Sequence, residues 1–275
     1  MTQESDPKIC QTSVVEREMD FFSDDPHSVV NPREMVRAFT GQGGEASGEL
    51  FLETLALITF TSQDLRGLVQ WTRQANSIEA WRKRNPRIYR GEGWIGVQSP
   101  YGAPGTIMLL EELVAFGVRR AVFLGYCGTI QEGISIGDLI LPMGAIREEG
   151  TSYHYLPKGE KSFPDPEVQS KLSDWLGGIL PFHRGNIWTT DAPYRETHEK
   201  IKRYRAEGVL GVEMEMAAAF AFGKAKGISV GAILMVSDQV REEEWRIGFF
   251  SPKIRSTRKR VIEVLIHHVP EMISE

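Results

Sequence analysis

The chain has little cysteine, little net charge and no long apolar run, and each shortage removes a class of protein. Cys10 and Cys127 are the only cysteines in 275 residues, too few and too far apart for a disulfide framework or a cysteine-rich metal site. They read as free thiols of a reducing compartment, with Cys127 small and packed. The formal net charge of -5 is mild and argues against a nucleic-acid partner, whose usual electrostatic footprint is a basic stripe. No stretch approaches the roughly 20 consecutive apolar residues of a membrane helix. The opening MTQESDPKICQTSVVEREMDFF is acidic and lacks the apolar core of a secretory signal. These shortages lead to the expectation of a cytoplasmic protein without nucleic-acid or membrane partners. No GxxxxGK[ST] loop occurs, and no GxGxxG leads directly into a helix, so neither nucleotide-binding fingerprint is met.

What is present is an ordinary globular composition, 41% hydrophobic and 25% charged, with ample material for a core. Residues 1–50 read as an N-terminal extension, with a helix in NPREMVRAFTG, a shorter one in VVEREMDFF and a flexible link in GQGGEASGE. Over 51–275 apolar runs alternate with helical patterns. LFLETLALITF, RRAVFLG, DLILPMGAIRE, HRGNIWTTDAPY and ISVGAILMVSDQV predict strands, and RIYRGEGWIGVQ a hairpin. TSQDLRGLVQWTRQ, TIMLLEELVAFGV, DPEVQSKLSDWLGGIL and SPKIRSTRKRVIEVLIHHV predict helices, while GVEMEMAAAFAFGKAKG starts as a strand and becomes one. The expectation is a single α/β domain with a central mixed, largely parallel sheet flanked by helices. Ligands of such sheets sit at the carboxyl ends of the strands, which selects GYCG, TTDAPY, GVEMEM and VSDQV.

Asp238 ends a run that should be deeply buried. It suits a helix cap and equally a carboxyl group on a rigid strand end, placed for general acid work. Glu213 and Glu215 flank Met214; in a strand both carboxylates face one way and the methionine the other. A carboxylate accepts two hydrogen bonds at fixed separation, as the vicinal hydroxyls of a sugar require, although a solvated helix start has the same pattern. The GYCG segment reads as a glycine-flanked turn whose backbone N–H groups could face a polar ligand.

Taken together, SPYGAPGTIMLLEELVAFGV, FLGYCGTIQEGISIGDLILPMGAI, TTDAPYRE, GVEMEMAAAFAFGKAKGI and AILMVSDQV resemble the nucleoside phosphorylase/nucleosidase superfamily, over about Leu55 to Val269. Within it, the motifs look most like the catalytic domains of AMP nucleosidases. The resemblance implies a nucleoside phosphorylase-like catalytic domain that cleaves an N-glycosidic bond without a cofactor, and a homo-oligomer. It implies that Glu215 holds the ribose 2′ and 3′ hydroxyls, that Met214 packs on the sugar, and that Asp238 protonates N7 of the base. Members specific for uracil lack that aspartate, so the implied partner is a purine nucleoside or nucleotide. Tyr194 falls where an aromatic residue lines the base site, and Gly125 and Tyr126 in the glycine segment.

The departures bear on the second substrate. Phosphorylases of the family hold inorganic phosphate with an arginine and a Ser or Thr where this chain has Phe123 and Tyr126. A further phosphate-site glycine is replaced by Ser62, and only Arg66 of that set remains. The reading that follows is hydrolysis, with Tyr126 in the place of phosphate. The alternatives are a phosphate-dependent purine nucleoside phosphorylase and a nucleoside-binding module without catalysis. Arg82, Lys83, Arg84, Arg147 and Arg195 are candidate cations for a 5′-phosphate or for phosphate itself; WRKR also suits a solvated basic turn, and His154 suits a loop.

Overall fold

The computed structural model of the chain describes residues 21–25, 27–40, 53–71, 76–77, 88–242 and 244–273. Side-chain alternation sets its layers. In β1 (Leu55–Thr59) every residue is buried; Ala56 and Ile58 enter one core, Leu55 and Leu57 another, as a pleated strand covered on both faces requires. β5 (Arg120–Thr129) and β9 (Ser229–Val240) repeat the pattern. Phe123 and Ala232 face the first core, Val122 and Ile233 the second.

The remaining strands are β2 (Asn76–Ser77), β3 (Ile88–Arg90), β4 (Trp94–Gln98), β6 (Leu139–Glu148), β7 (Phe182–Thr190), β8 (Gly211–Glu213) and β10 (Trp245–Ile247). Their order is β10-β9-β6-β7-β8-β5-β1-β4-β3-β2, and β9 also pairs with β5. That extra pairing closes β9, β6, β7, β8 and β5 into a ring, with β1, β4, β3 and β2 as an open wing. Pairing is parallel through β4-β1-β5-β9 and through β6-β7-β8. Each antiparallel pairing spans three residue pairs or fewer. The mixed sheet expected from the sequence is present, parallel along its long strands.

Helices α1 (Pro32–Thr40), α3 (Ala103–Ala115) and α6 (Met216–Lys226) cover the first core with Val36, Leu110 and Phe220. Helices α2 (Ser62–Trp71), α4 (Pro166–Leu176) and α7 (Pro252–Ile273) cover the second with Leu68, Leu172 and Val261. Helix α5 (His198–Ala206) packs Ile201 and Tyr204 on Trp188 and Val212. Local signals fix the helix ends. Asp165 accepts from the backbone N–H groups of Glu167 and Val168 at the start of α4, and α6 stops at Gly227 in the left-handed region. Within residues 1–50, α1 docks on the domain: Val36 is buried, and the Arg33 guanidinium lies 5.6 Å from the centre of the Phe116 ring. The short helix expected in VVEREMDFF, and the residues Cys10, Arg82, Lys83 and Arg84, lie largely or wholly outside the described residues.

Two strand boundaries differ from the sequence reading. GYCG is not a turn, because β5 runs through it to Thr129 and stays paired with β9 on both sides of a register shift between Cys127 and Gly128. Nor does β9 end at Asp238; it continues to Val240, and β10 folds back against it. Phe123 and Gly125, expected at the site, are buried in the packing of the sheet. Phe123 is fully buried, its ring centre 6.0 Å from that of Phe60. A Cβ at Gly125 would meet Leu234 Cδ2 at 2.9 Å. Phe123→Ala is expected to lower unfolding free energy by about 3–5 kcal/mol. A urea midpoint equal to that of the parent would remove Phe123 from the core.

Candidate active site

All four selected strand ends open onto one cavity of about 760 Å³ at the mouth of the strand ring. Asp238 reaches it through an irregularity. Along β5 and β9 the register steps from Cys127↔Val236 to Gly128↔Asp238, leaving Ser237 as an extra, unpaired residue. Such a bulge resets the alternation and re-aims the side chains that follow it. The Ser237 hydroxyl lies 2.7 Å from Asp238 Oδ1 and 3.2 Å from the Cys127 carbonyl oxygen. The indole N–H of Trp245, on β10, donates to Asp238 Oδ2 at 2.8 Å. Gly128 makes room: a Cβ there would lie 2.9 Å from Asp238 Oδ2 and 2.7 Å from Val240 Cγ2.

Glu213 and Glu215 have separate tasks. The chain leaves the strand after Glu213 and enters α6 at Met216, so strand alternation does not relate them. The Glu213 carboxylate accepts from the N–H groups of Glu215 at 2.7 Å and Met216 at 2.8 Å. The Thr189 hydroxyl also donates to it, while accepting from the Ala217 N–H at 2.9 Å. It thus satisfies orphan donors in the first turn of α6. Glu215 turns away from the helix, and its Oε1 accepts from the Gly102 N–H at 2.6 Å. Gly102 has φ 86° at the start of α3, a conformation that favours glycine. Burial raises both carboxyls above the ordinary range, and the charge of Glu215 raises Glu213 further. Neither is the solvated helix start that the pattern also allowed.

Tyr126 forms part of the wall and is tethered from behind. Its hydroxyl donates to Asp64, 2.8 Å from Oδ1 and 3.0 Å from Oδ2. Asp64 is fully buried in the first turn of α2, takes a 2.5 Å hydrogen bond from Thr61 Oγ1, and lies 3.5 Å from Arg258 Nε. Burial raises Asp64, against the pull of Thr61, Tyr126 and Arg258. Burial also lifts the Tyr126 phenol well above its usual value. The phenol of Tyr101, another wall residue, is raised by burial and then by the charges of Asp64 and Glu215.

Of the other residues selected from sequence, Met214 lines the cavity, and Tyr194 stands at its rim, 98% exposed. Arg66 does not line it; it lies in clefts along α2. Arg147 donates to Ser152 Oγ and to the carbonyls of Leu156, Pro157 and Glu160, so it clasps its own loop. Arg195 is exposed beside the rim, and His154 stacks on Phe21 at 5.0 Å. The sequence reading missed Gly128, Tyr101, Glu196 and Trp245. Glu196 precedes α5, where Thr197 accepts from the Lys200 N–H. Its carboxyl is pushed up to about 7, by burial and then by Asp238, with Lys200 opposing. A titrating carboxyl in TTDAPYRETHE was a legible signal; the Trp245 contact was not, because β10 is local in sequence but docks only through the fold. Ser135 sits in a GxSxG spacing, GISIG, but it is an exposed loop residue away from the cavity.

Among the described residues no group of three or more His, Cys, Asp or Glu is arranged to hold a metal ion, and no helix is long and apolar enough to cross a membrane. The profile of a family described as the phosphorylase superfamily matches residues 54–267. A guanosine phosphorylase of Halorubrum lacusprofundi is 33% identical over 139 residues, covering 49% of this chain and 56% of its own. A DeoD-type purine nucleoside phosphorylase of Clostridium novyi is 32% identical over 143 residues, covering 50% and 61%. The chain thus spans little more than half the length of these curated relatives. Two crystal structures share the fold at 19% identity: a purine nucleoside phosphorylase from Toxoplasma gondii in complex with immucillin-H, with TM-score 0.75 over 85% of this chain and 98% of that one, and a uridine phosphorylase from Vibrio fischeri, with TM-score 0.71 over 82% and 99%.

Tyr126→Phe removes one donor from the buried Asp64 carboxyl and is expected to destabilise the fold by about 1–3 kcal/mol. Equal stability of the two proteins in chemical denaturation would show that the hydroxyl does not hold Asp64.

Proposed function

The chain belongs to the phosphorylase superfamily, and from that premise we propose that it cleaves the N-glycosidic bond of a 6-oxopurine nucleoside, with water as the acceptor. The observation that carries this reading is the meeting of Asp238 and Glu215 in one cavity, each fixed by hydrogen bonds from donors it does not share with the other. Glu215 accepts the ribose 2′ and 3′ hydroxyls while Gly102 holds its carboxylate in place. Met214 and Phe60 offer apolar surface. Asp238, oriented by Ser237 and Trp245, supplies a proton to N7 of the base. As the bond from C1′ to N9 breaks, its electron pair enters the base, which leaves neutral, and positive charge builds on the sugar. Water then bonds to C1′ and releases a proton, giving free ribose.

Glu196 gives the preference for a 6-oxopurine. Its carboxylate can accept from N1–H of hypoxanthine or guanine and from the 2-amino group of guanine, whereas N1 of adenine is itself an acceptor. A guanosine phosphorylase among the relatives supports the same base. A nucleoside is favoured over a nucleotide because Arg147 is already committed to its loop.

Water is favoured over phosphate by the charge of the cavity. Its described lining holds Glu196, Glu213, Glu215, Asp238, Glu242 and Glu244 against Arg241 and His198. The Tyr126 wall is backed by a further carboxyl, Asp64. A phosphate dianion needs charge-assisted donors, and this lining presents mostly acceptors. A second reading, phosphorolysis, is supported by the names of the relatives. Product analysis with guanosine, inosine, adenosine and AMP, each with and without phosphate, separates the two. Free ribose at a rate indifferent to phosphate is expected; ribose 1-phosphate that forms only with phosphate would establish the second reading.

Asp238→Asn is expected to lower kcat on guanosine by about 10²–10⁴-fold while leaving the circular dichroism spectrum unchanged. Parental turnover in this variant would remove Asp238 from the chemistry. Glu196 must be ionised to accept from N1–H. The ratio of kcat/KM for guanosine to that for adenosine should therefore fall as pH drops through about 7, and Glu196→Gln should flatten that dependence. A ratio constant from pH 5.5 to 8.5, on the order of 1.5 pH units either side, would contradict the assignment.

A further inference from the structure

A second cleft, of about 470 Å³, runs between α2 and α7 outside the reaction cavity and shares no lining residue with it. Arg66, Arg255, Arg258 and Lys259 line it together with Gln63, Gln70, Gly67 and Ile262. This concentration of positive charge stands on a chain of net charge -5, and no carboxylate appears in the lining. Among the described residues, Arg66 and Arg255 have no carboxylate partner, and the Lys259 contact to Glu263 is 3.9 Å long on the exposed side of the helix. Arg258 is the exception. Its side chain is 14% exposed, and Nε lies 3.5 Å from the buried Asp64.

Helices bring these charges together at a cost in mutual repulsion that a bound anion removes. The two helices approach closely enough that a Cβ at Gly67 would lie 2.6 Å from Ile262 Cδ1, so the cationic side chains project from a rigid floor. Three guanidiniums supply forked donors matched to phosphate oxygens, and the two glutamines supply neutral amide donors. The cleft has one apolar side chain, Ile262, and so reads charge more than a base or a sugar.

We propose that the α2–α7 cleft binds a polyphosphate group, either pyrophosphate or the phosphate chain of a nucleotide, and that its occupancy is linked to the reaction cavity. The link is one residue deep. A polyanion in the cleft draws Arg258 away from Asp64, and Asp64 is the group that holds the Tyr126 hydroxyl at the cavity wall. With Arg258 drawn off, the buried Asp64 carboxyl loses the cation beside it, the Asp64–Tyr126 unit at the wall shifts, and nucleoside binding weakens; the coupling is reciprocal.

The test uses the full chain at an ionic strength held constant with potassium chloride, since exposed charge pairs are screened by salt. Pyrophosphate and GTP are titrated calorimetrically into the parent and into a protein carrying Arg255→Ala and Lys259→Ala, both exposed residues. Saturable binding to the parent, weakened about tenfold or more in the variant, is expected, with both proteins equally stable without ligand. GTP binding more tightly than pyrophosphate, with the same sensitivity to the variant, would identify a nucleotide as the source of the phosphates; equal affinities would identify the phosphate chain alone. In the same buffer, saturating pyrophosphate should raise KM for the nucleoside by about twofold or more in the parent and not in the variant. Affinity equal in parent and variant, or no saturation, would overturn the site. A KM unmoved by pyrophosphate in the parent would overturn the link through Arg258.

Discussion

One extra residue in β9 is the constraint on which the site depends. If β5 and β9 paired in unbroken register, strand alternation alone would decide which side chains reach the cavity. Ser237 interrupts that register between Val236 and Asp238, and its hydroxyl then bonds to the carboxyl that the interruption re-aims. Gly128 stands opposite because any side chain there would strike Asp238. The strand pair also closes the ring of β5, β9, β6, β7 and β8, so the device that aims the acid lies in the seam that forms the mouth of the cavity.

A concentration of carboxyls in one cavity is costly, because each is desolvated and each repels the rest. The fold limits that cost by giving the groups different partners. Glu213 satisfies backbone donors of α6, Glu215 takes one N–H from Gly102, and Asp238 takes an indole N–H and faces a hydroxyl. Glu196 stays closest to the surface, where the charge of Lys200 opposes the effect of its burial. What remains unsatisfied is acceptor capacity pointing into the cavity, suited to the hydroxyls of a sugar and the N–H groups of a purine.

The tether behind Tyr126 gives that residue a physical meaning that its size alone does not. A bulky side chain could have lain anywhere along the wall. The Asp64 carboxyl, itself held by Thr61 and Arg258, fixes its hydroxyl end. A buried carboxyl with three partners is a rigid unit, and it joins the cavity to the outer face of α2 and α7.

Much of the fold was legible from the chain alone. The continuous apolar runs LALIT and ISVGAILMV, the acidic first turn of α4, and the glycine after α6 are local signals, read by run length and by backbone preference. The four strand ends that share the cavity were also legible, because parallel strands covered on both faces leave their carboxyl ends as the open side of a sheet. Local pattern failed where a contact between distant residues decided the outcome. Phe123 and Gly125 look like neighbours of a ligand in a glycine-rich segment, yet Phe60 and Leu234 pack against them. Arg147 looks like a free cation until its four partners are seen. The sequence by itself determined the order and kind of the main strands and helices, though not every boundary, since periodicity depends on near neighbours. Only the tertiary structure decided which polar groups remain available to a ligand, because that depends on which partners, dozens of residues away, have already satisfied the others.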